Sequence, residues 1–225
     1  MSTRSKAVGA LAPSVASGFV RSALDRAIDG VGPLRPVKRA ADGKLVDAGG
    51  DVEKAIQSVS RSHTAVAGAQ GFVTNLGGIA AFAVSVPANV VGVTLVQCHL
   101  AASIAHLRGY DVDDPRVRNA ILACMLGEDE VRSLVRKGRL PGEPMVLATA
   151  PAHDAELDQR LSHEVTRALV TRTVGRRAVT TIGRRVPLLG GAVGASSDAW
   201  ATWQIAQYTA GELRSRRHIQ SPRPR

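Results

Sequence analysis

Between Arg61 and Arg108 the chain reads Ser62-HTAVAGAQGFVTNLGGIAAFAVSVPANVVGVTLVQCHLAASIAH-Leu107, 46 residues without one Asp, Glu, Lys or Arg. Its many Ala and Gly residues and few aromatics suit closely approaching helices better than a sheet, which would draw more on aromatic and β-branched side chains. Pro87 divides the stretch into pieces of 25 and 20 residues. Each is about the ~20 residues that cross a bilayer as a helix. A proline has no N–H to donate, so Pro87 ends the first helix or sits in the first turn of the second. The prediction is a helical hairpin, residues 64–84 and 87–107.

The flanks extend the helical reading. Gly109 and the acidic turn Asp111–Asp114 stop the hairpin. Asp114–Pro115 is an N-cap followed by proline at the first helical position, starting a helix through Val117, Ile121, Leu122 and Met125 to Gly127. Another runs from Glu128 to about residue 137. Residues 138–152, with Pro141, Pro144 and Pro151, form a loop. Upstream, Asp51 caps a helix through Glu53, Ala55, Ile56 and Val59, and a short helix covers residues 23–28 before Gly30, Gly32 and Pro33. Residues 1–22 read as a loosely ordered tail. Arg4 and Lys6 precede a mildly apolar run, but Pro13 interrupts it and no A-x-A-like cleavage site follows, so a secretory signal is not expected.

From Asp154 the pattern is helical and basic, with seven arginines between Arg160 and Arg185 against one acid, Glu164. A second uncharged stretch, residues 186–211, is broken only by Asp198, and residues 213–225 form a basic tail. The expectation is all-α: one bundle-like domain over residues 23–212 around two Gly/Ala-rich apolar segments, 64–107 and 186–211.

Composition bounds the partners. With 225 residues, 44% hydrophobic and only 3% aromatic, the chain has enough for one good core. Its 29 Lys and Arg against 19 Asp and Glu leave a formal charge of +10. Such an excess seeks an acidic partner, anionic lipid or nucleic acid. Nucleic acid ranks last, for want of stacking aromatics or a known binding module. A near-zero mean hydropathy argues against a polytopic transporter. Cys98 and Cys124 read as buried thiols in a reduced compartment.

Few residues offer chemistry. Gly190 and Gly194 form a G-x-x-x-G pair, with Asp198 four residues further on the same helical face. Glycines in that register admit another backbone and direct Asp198 into a helix contact, where it needs a partner such as His99, His106, Asn89, Arg184 or Arg185. Alternatively the glycines form a turn and Asp198 or Ser197 caps the next helix. His99 and His106, seven apart with Ser103 alongside, share a face. No carboxylate on that helix completes a metal site, which favours hydrogen-bonded core histidines. Asn75 and Asn89 are further buried-polar candidates, and Gly77 and Gly78 further packing glycines. Arg172, Arg176, Arg177, Arg184 and Arg185 border the second apolar stretch and either meet an anionic leaflet or form a solvated face.

Catalytic signatures fail on inspection. His163–Glu164 begins H-E-x-x-H, but position 167 is arginine; the Asp111–Asp114 cluster meets Leu122 where an EF-hand places its glutamate. No G-x-S-x-G elbow, Walker loop or dinucleotide fingerprint is present. No catalytic residue, cofactor or metal is assigned.

The segments Gln70-GFVTNLG-Gly78, Val86-PA-Asn89, Gln97 to His106, Gly109-YDVDDPRV-Arg118 and Arg185-VPLLGGAVGASSD-Ala199 resemble the EcsC protein family over residues 24–212. The family pattern often has aspartate after Pro-Ala, where this chain has Asn89. The family takes its name from a gene beside an ABC-transporter pair, so the resemblance implies a helical, membrane-associated accessory protein with no catalytic residues to carry over. The leading expectation is a non-enzymatic protein at the cytoplasmic membrane face, contacting anionic lipid or a membrane protein, ABC-transporter components among them. Peripheral packing is favoured over spanning, because Asn75, Asn89, Gln97 and two histidines make insertion costly. The alternative is a soluble helical enzyme or apolar-ligand binder with the same segments enclosing a pocket.

Overall fold

The computed structural model describes the backbone of residues 13–76, 78–182 and 187–214, and the side chains of residues 18–69, 91–169, 171–172 and 196–214. Those residues form nine helices and no strand: α1 (Pro13–Asp29), α2 (Val37–Asp47), α3 (Val52–Leu76), α4 (Gly78–Leu107), α5 (Pro115–Leu126), α6 (Glu128–Arg136), α7 (Pro144–Ala148), α8 (Ala155–Ile182) and α9 (Pro187–Glu212). The all-α reading holds.

The C-terminal half of α4 is the centre. Helices α1, α2, α3, α5 and α9 all pack on α4. Its residues divide between two cores. Cys98, Ala101, Ala102 and Ala105 face a large cluster with Leu24 and Ile28 of α1, Ile121, Leu122 and Met125 of α5, and Leu161 of α8. Leu100, Ile104 and Leu107 face a smaller one with Ala41 of α2, Ile56 and Val59 of α3, and Ala206 of α9. A helix buried on both sides needs no charged stripe, which is why this segment carries no Asp, Glu, Lys or Arg. The alanines on its first face let α1 and α5 approach closely.

Local signals set several helix ends. Asp114 accepts from the Arg116 N–H at 2.9 Å with Pro115 at the first helical position of α5. The Asp51 carboxylate accepts from the Lys54 N–H at the start of α3, and Asp154 accepts from the N–H groups of Glu156 and Leu157 at the start of α8. Each relieves an N–H that the first helical turn leaves unbonded. α4 ends at Gly109, φ +89°, where the Tyr110 N–H reaches back to the Ala105 carbonyl at 3.0 Å. Only glycine takes that left-handed turn without strain.

The hairpin break lies elsewhere than predicted. α3 runs on to Leu76, and α4 starts at Gly78 and passes through Pro87 without interruption. The glycine pair Gly77–Gly78 puts two weak helix formers, each about 1 kcal/mol worse than alanine, side by side and comes first along the chain. Pro87 forfeits one backbone bond inside α4, a local cost of ~3 kcal/mol. Continuing the helix carries its second half into both cores as one rigid piece. Two further expectations need amendment. α1 begins at Pro13, with Val20 fully buried, so residues 13–22 belong to the fold and not to a loose tail. The 138–152 loop holds the short helix α7, whose Leu147 and Ala148 are buried. α2 was not legible in the sequence.

The Arg116 guanidinium, bonded to the Asp114 carboxylate, and the backbone bond from Arg116 hold that carboxyl below its usual range. A carboxyl depressed on folding stabilises above its unfolded pKa of about 3.9, and the contribution disappears as pH falls through the folded value. Asp114→Ala is therefore expected to cost about 1 kcal/mol in denaturant unfolding at neutral pH. The difference from the parent should shrink on acidification below pH ~4.

Candidate functional site

Two places in the fold concentrate unusual side chains. The first is a polar layer where α3 and α4 meet the chain leading into α2. His99 of α4 is buried, with its Nδ1 2.8 Å from Nε2 of His63 on α3 and its Nε2 2.9 Å from the Arg35 carbonyl. His63 Nδ1 faces the Val59 carbonyl at 2.8 Å, and Ser103 Oγ lies 3.4 Å from His99 Nδ1. Burial pushes His63 down to about 4 and lowers His99 as well. Two turns along α4, His106 Nε2 sits 2.8 Å from Asp42 of α2. Arg108 then binds Glu53 of α3, and its Nη2 donates to the Ala210 carbonyl of α9 at 3.3 Å.

His99 and His106 therefore serve different contacts. Both remain core or interface histidines bonded to neighbours. Sequence reasoning missed His63, 36 residues away, because only the packing of α3 on α4 brings it there. Among the described residues, no group of three His, Cys, Asp or Glu side chains could hold a metal ion.

The second place is a shallow groove of ≈ 560 Å³ between α3 and α9, lined by Arg61, Thr64, Ala65, Gly68, Ser196, Ala199 and Trp203. Trp203 is 42% exposed and Trp200 58%, with their rings stacked at 4.9 Å between centroids. Val66 on α3 is exposed as well. Tryptophan rings this open to water are costly to leave uncovered, and a clustered pair marks a contact surface. Both tryptophans stand in the second uncharged stretch three residues apart, a spacing that puts them on one helical face. That signal was available in the sequence and went unused.

The remaining candidates distribute as follows. α9 is continuous from Pro187 to Glu212, so Gly190 and Gly194 lie within a helix and neither Ser197 nor Asp198 caps one. Asp198 is 2% exposed, as expected of a residue turned into a helix contact. One turn on, the buried Thr202 accepts from Gln97 Nε2 of α4 at 3.1 Å. Arg172 departs from the surface role considered for it. Its guanidinium donates to the Met125 and Leu126 carbonyls, closing the C-terminal end of α5. The H-E pair is resolved too: buried Glu164 is bound by Arg139 and Arg167, an ion-paired structural carboxylate. Gly78 opens α4. The side chains of Asn75, Asn89, Arg176 and Arg177, and the whole of Gly77, Arg184 and Arg185, lie outside the described residues.

Cys98 and Cys124 are free and buried, and burial pushes each thiol up to about 12. Among the described residues, no helix is long and apolar enough to cross a membrane. The model of the EcsC protein family matches residues 50–217, most of the chain. No curated protein and no solved structure matches it.

Because the thiolate is the reactive form, both cysteines should resist alkylation in the native protein. Mass spectrometry after brief treatment with iodoacetamide at neutral pH should find neither labelled, and both labelled in denaturant. Native labelling of Cys98 would show that the α1–α4–α5 core opens.

Proposed function

We propose that this chain, which belongs to the EcsC protein family, is a non-enzymatic accessory protein that seats the α3–α9 face on an anionic membrane. The observation that carries this reading is the exposed, stacked pair Trp200 and Trp203 beside an apolar groove. Tryptophan prefers the membrane–water interface, where its ring lies among acyl chains and its N–H meets the headgroups. Among the described residues, Arg61 is the one charged side chain lining the groove, and no described carboxylate forms an ion pair with it. It supplies the cation that a phosphate headgroup requires. The sequence adds Arg176, Arg177, Arg184 and Arg185 just before α9, each worth about 1 kcal/mol beside an anionic leaflet. A membrane-embedded partner, ABC-transporter components included, would meet the protein at the same face.

Seating at the interface asks for no spanning helix. It requires only that the two rings and the groove leave water, while the charged helices α6 and α8 remain outside. An apolar small-ligand binder is the second reading, favoured by the groove itself. The two separate by whether a free amphiphile or a bilayer is needed.

Sedimentation with vesicles tests the proposal. The chain should pellet with phosphatidylglycerol-containing vesicles and bind pure phosphatidylcholine more weakly. Salt at about 0.5 M should reduce binding without abolishing it, since screening acts on the arginines and spares ring burial. Replacing both tryptophans by serine should weaken binding at least about tenfold, the equivalent of 1.4 kcal/mol. Equal binding by the serine variant, or no binding to either vesicle, would reject the membrane reading. Saturable uptake of a monomeric lysolipid without vesicle binding would support the ligand reading.

A further inference from the structure

The contacts of His63 and His99 can be counted in protons. Three hydrogen bonds run in a line: Val59 carbonyl to His63 Nδ1 at 2.8 Å, His63 Nε2 to His99 Nδ1 at 2.8 Å, and His99 Nε2 to the Arg35 carbonyl at 2.9 Å. A carbonyl only accepts, so both outer contacts require the ring nitrogens to carry protons. The central contact needs a third. Two neutral imidazoles carry two.

With the outer positions protonated and no third proton, two nitrogen lone pairs would face each other at 2.8 Å. Moving a proton inward relieves that pair and leaves a nitrogen lone pair against a carbonyl oxygen. Either neutral arrangement breaks one of the three bonds. The Ser62 and Ser103 hydroxyls, 3.5 and 3.4 Å from His63 Nδ1 and His99 Nδ1, are too long to substitute for any of them.

We infer that His63 and His99 form a buried site for one shared proton, giving the pair a single positive charge and binding α3, α4 and the α1–α2 connection together. The site is held rigidly. Gly30, φ +88°, sits where a Cβ would come within 2.9 Å of the backbone of Leu34 and Pro36 and of the Pro36 ring, so the turn that presents the Arg35 carbonyl has little freedom. The charged groups around it set its limits. On α2, the Lys44 ammonium acts on His63 and opposes added charge, while the Asp42 carboxylate is engaged by His106. Among the described residues no carboxylate's charge acts on either ring. Burial of both rings and the Lys44 charge on His63 oppose the first proton as well as a second, and the three hydrogen bonds are what hold the first. Loss of that proton breaks one bond of the line and loosens the α1–α2 connection from α4.

Nitrogen-15 histidine NMR on the full chain, from about pH 9 to pH 4.5, tests this. Signals are assigned from His63→Gln and His99→Gln. The expected result is one titration step common to both rings, with one proton taken up per pair and no second proton entering in that range. In His63→Gln the amide can donate to His99 Nδ1 with no added proton, so that step should vanish from His99. Independent midpoints for the two rings, uptake of two protons, or two neutral rings throughout would each overturn the site.

Discussion

The structure depends on the burial of α4 from both sides. Once Cys98, Ala101, Ala102 and Ala105 face one core and Leu100, Ile104 and Leu107 the other, no side of the helix is left for water. Polar groups on it are then drawn to partners inside the protein, because an unpaired one is costly in an apolar surrounding, and among the described side chains of α4 only the Thr94 hydroxyl lacks one. Gln97 bonds Thr202 of α9, and His99 bonds His63 of α3 and the Arg35 carbonyl. These bonds fix how α9, α3 and the α1–α2 connection are set around α4. Apolar packing alone would tolerate sliding; the polar bonds select one register.

The rest of the molecule divides according to what that centre leaves over. α5 is buried along most of its length in the larger core, and Arg172 of α8 closes its far end. α6 and α8 keep most of their described charges on the outside, Glu164 and Arg172 excepted, with Glu130 and Arg167 joined across them. α9 spends one face on α3 and α4, through Asp198, Thr202, Ile205, Ala206 and Thr209, and offers the opposite one, with Trp200 and Trp203, to solvent. The polar layer lies where α3 meets α4 and the α1–α2 connection, and the tryptophan groove where α3 meets α9.

What could be read in advance was whatever is local in the chain. Asp51, Asp114 and Asp154 announced helix starts because a cap acts within three residues, and 46 uncharged residues announced burial. What covered them was not legible, since lipid and a ring of five helices ask the same of a sequence. Pro87 misled because breaking strength was judged locally, whereas the continuity of α4 is decided by packing over its whole second half. α2 escaped notice because five of its eleven residues are charged, with Gly43 in the middle, and only Val37 and Ala41 are buried. The histidine pair joins residues 36 apart, and nothing in either neighbourhood points to the other. Asp198 was the intermediate case: its spacing from Gly190 and Gly194 allowed a packed face, but the same glycines more readily suggested a turn.

Native-state hydrogen exchange of the α4 amides tests the central role of this helix most directly. If α4 is the shared wall of both cores, the amides of residues 100–107 exchange only through global unfolding and are the most protected in the chain. Exchange of those amides through local openings, at rates like those of the outlying helices α6 and α7, would contradict it.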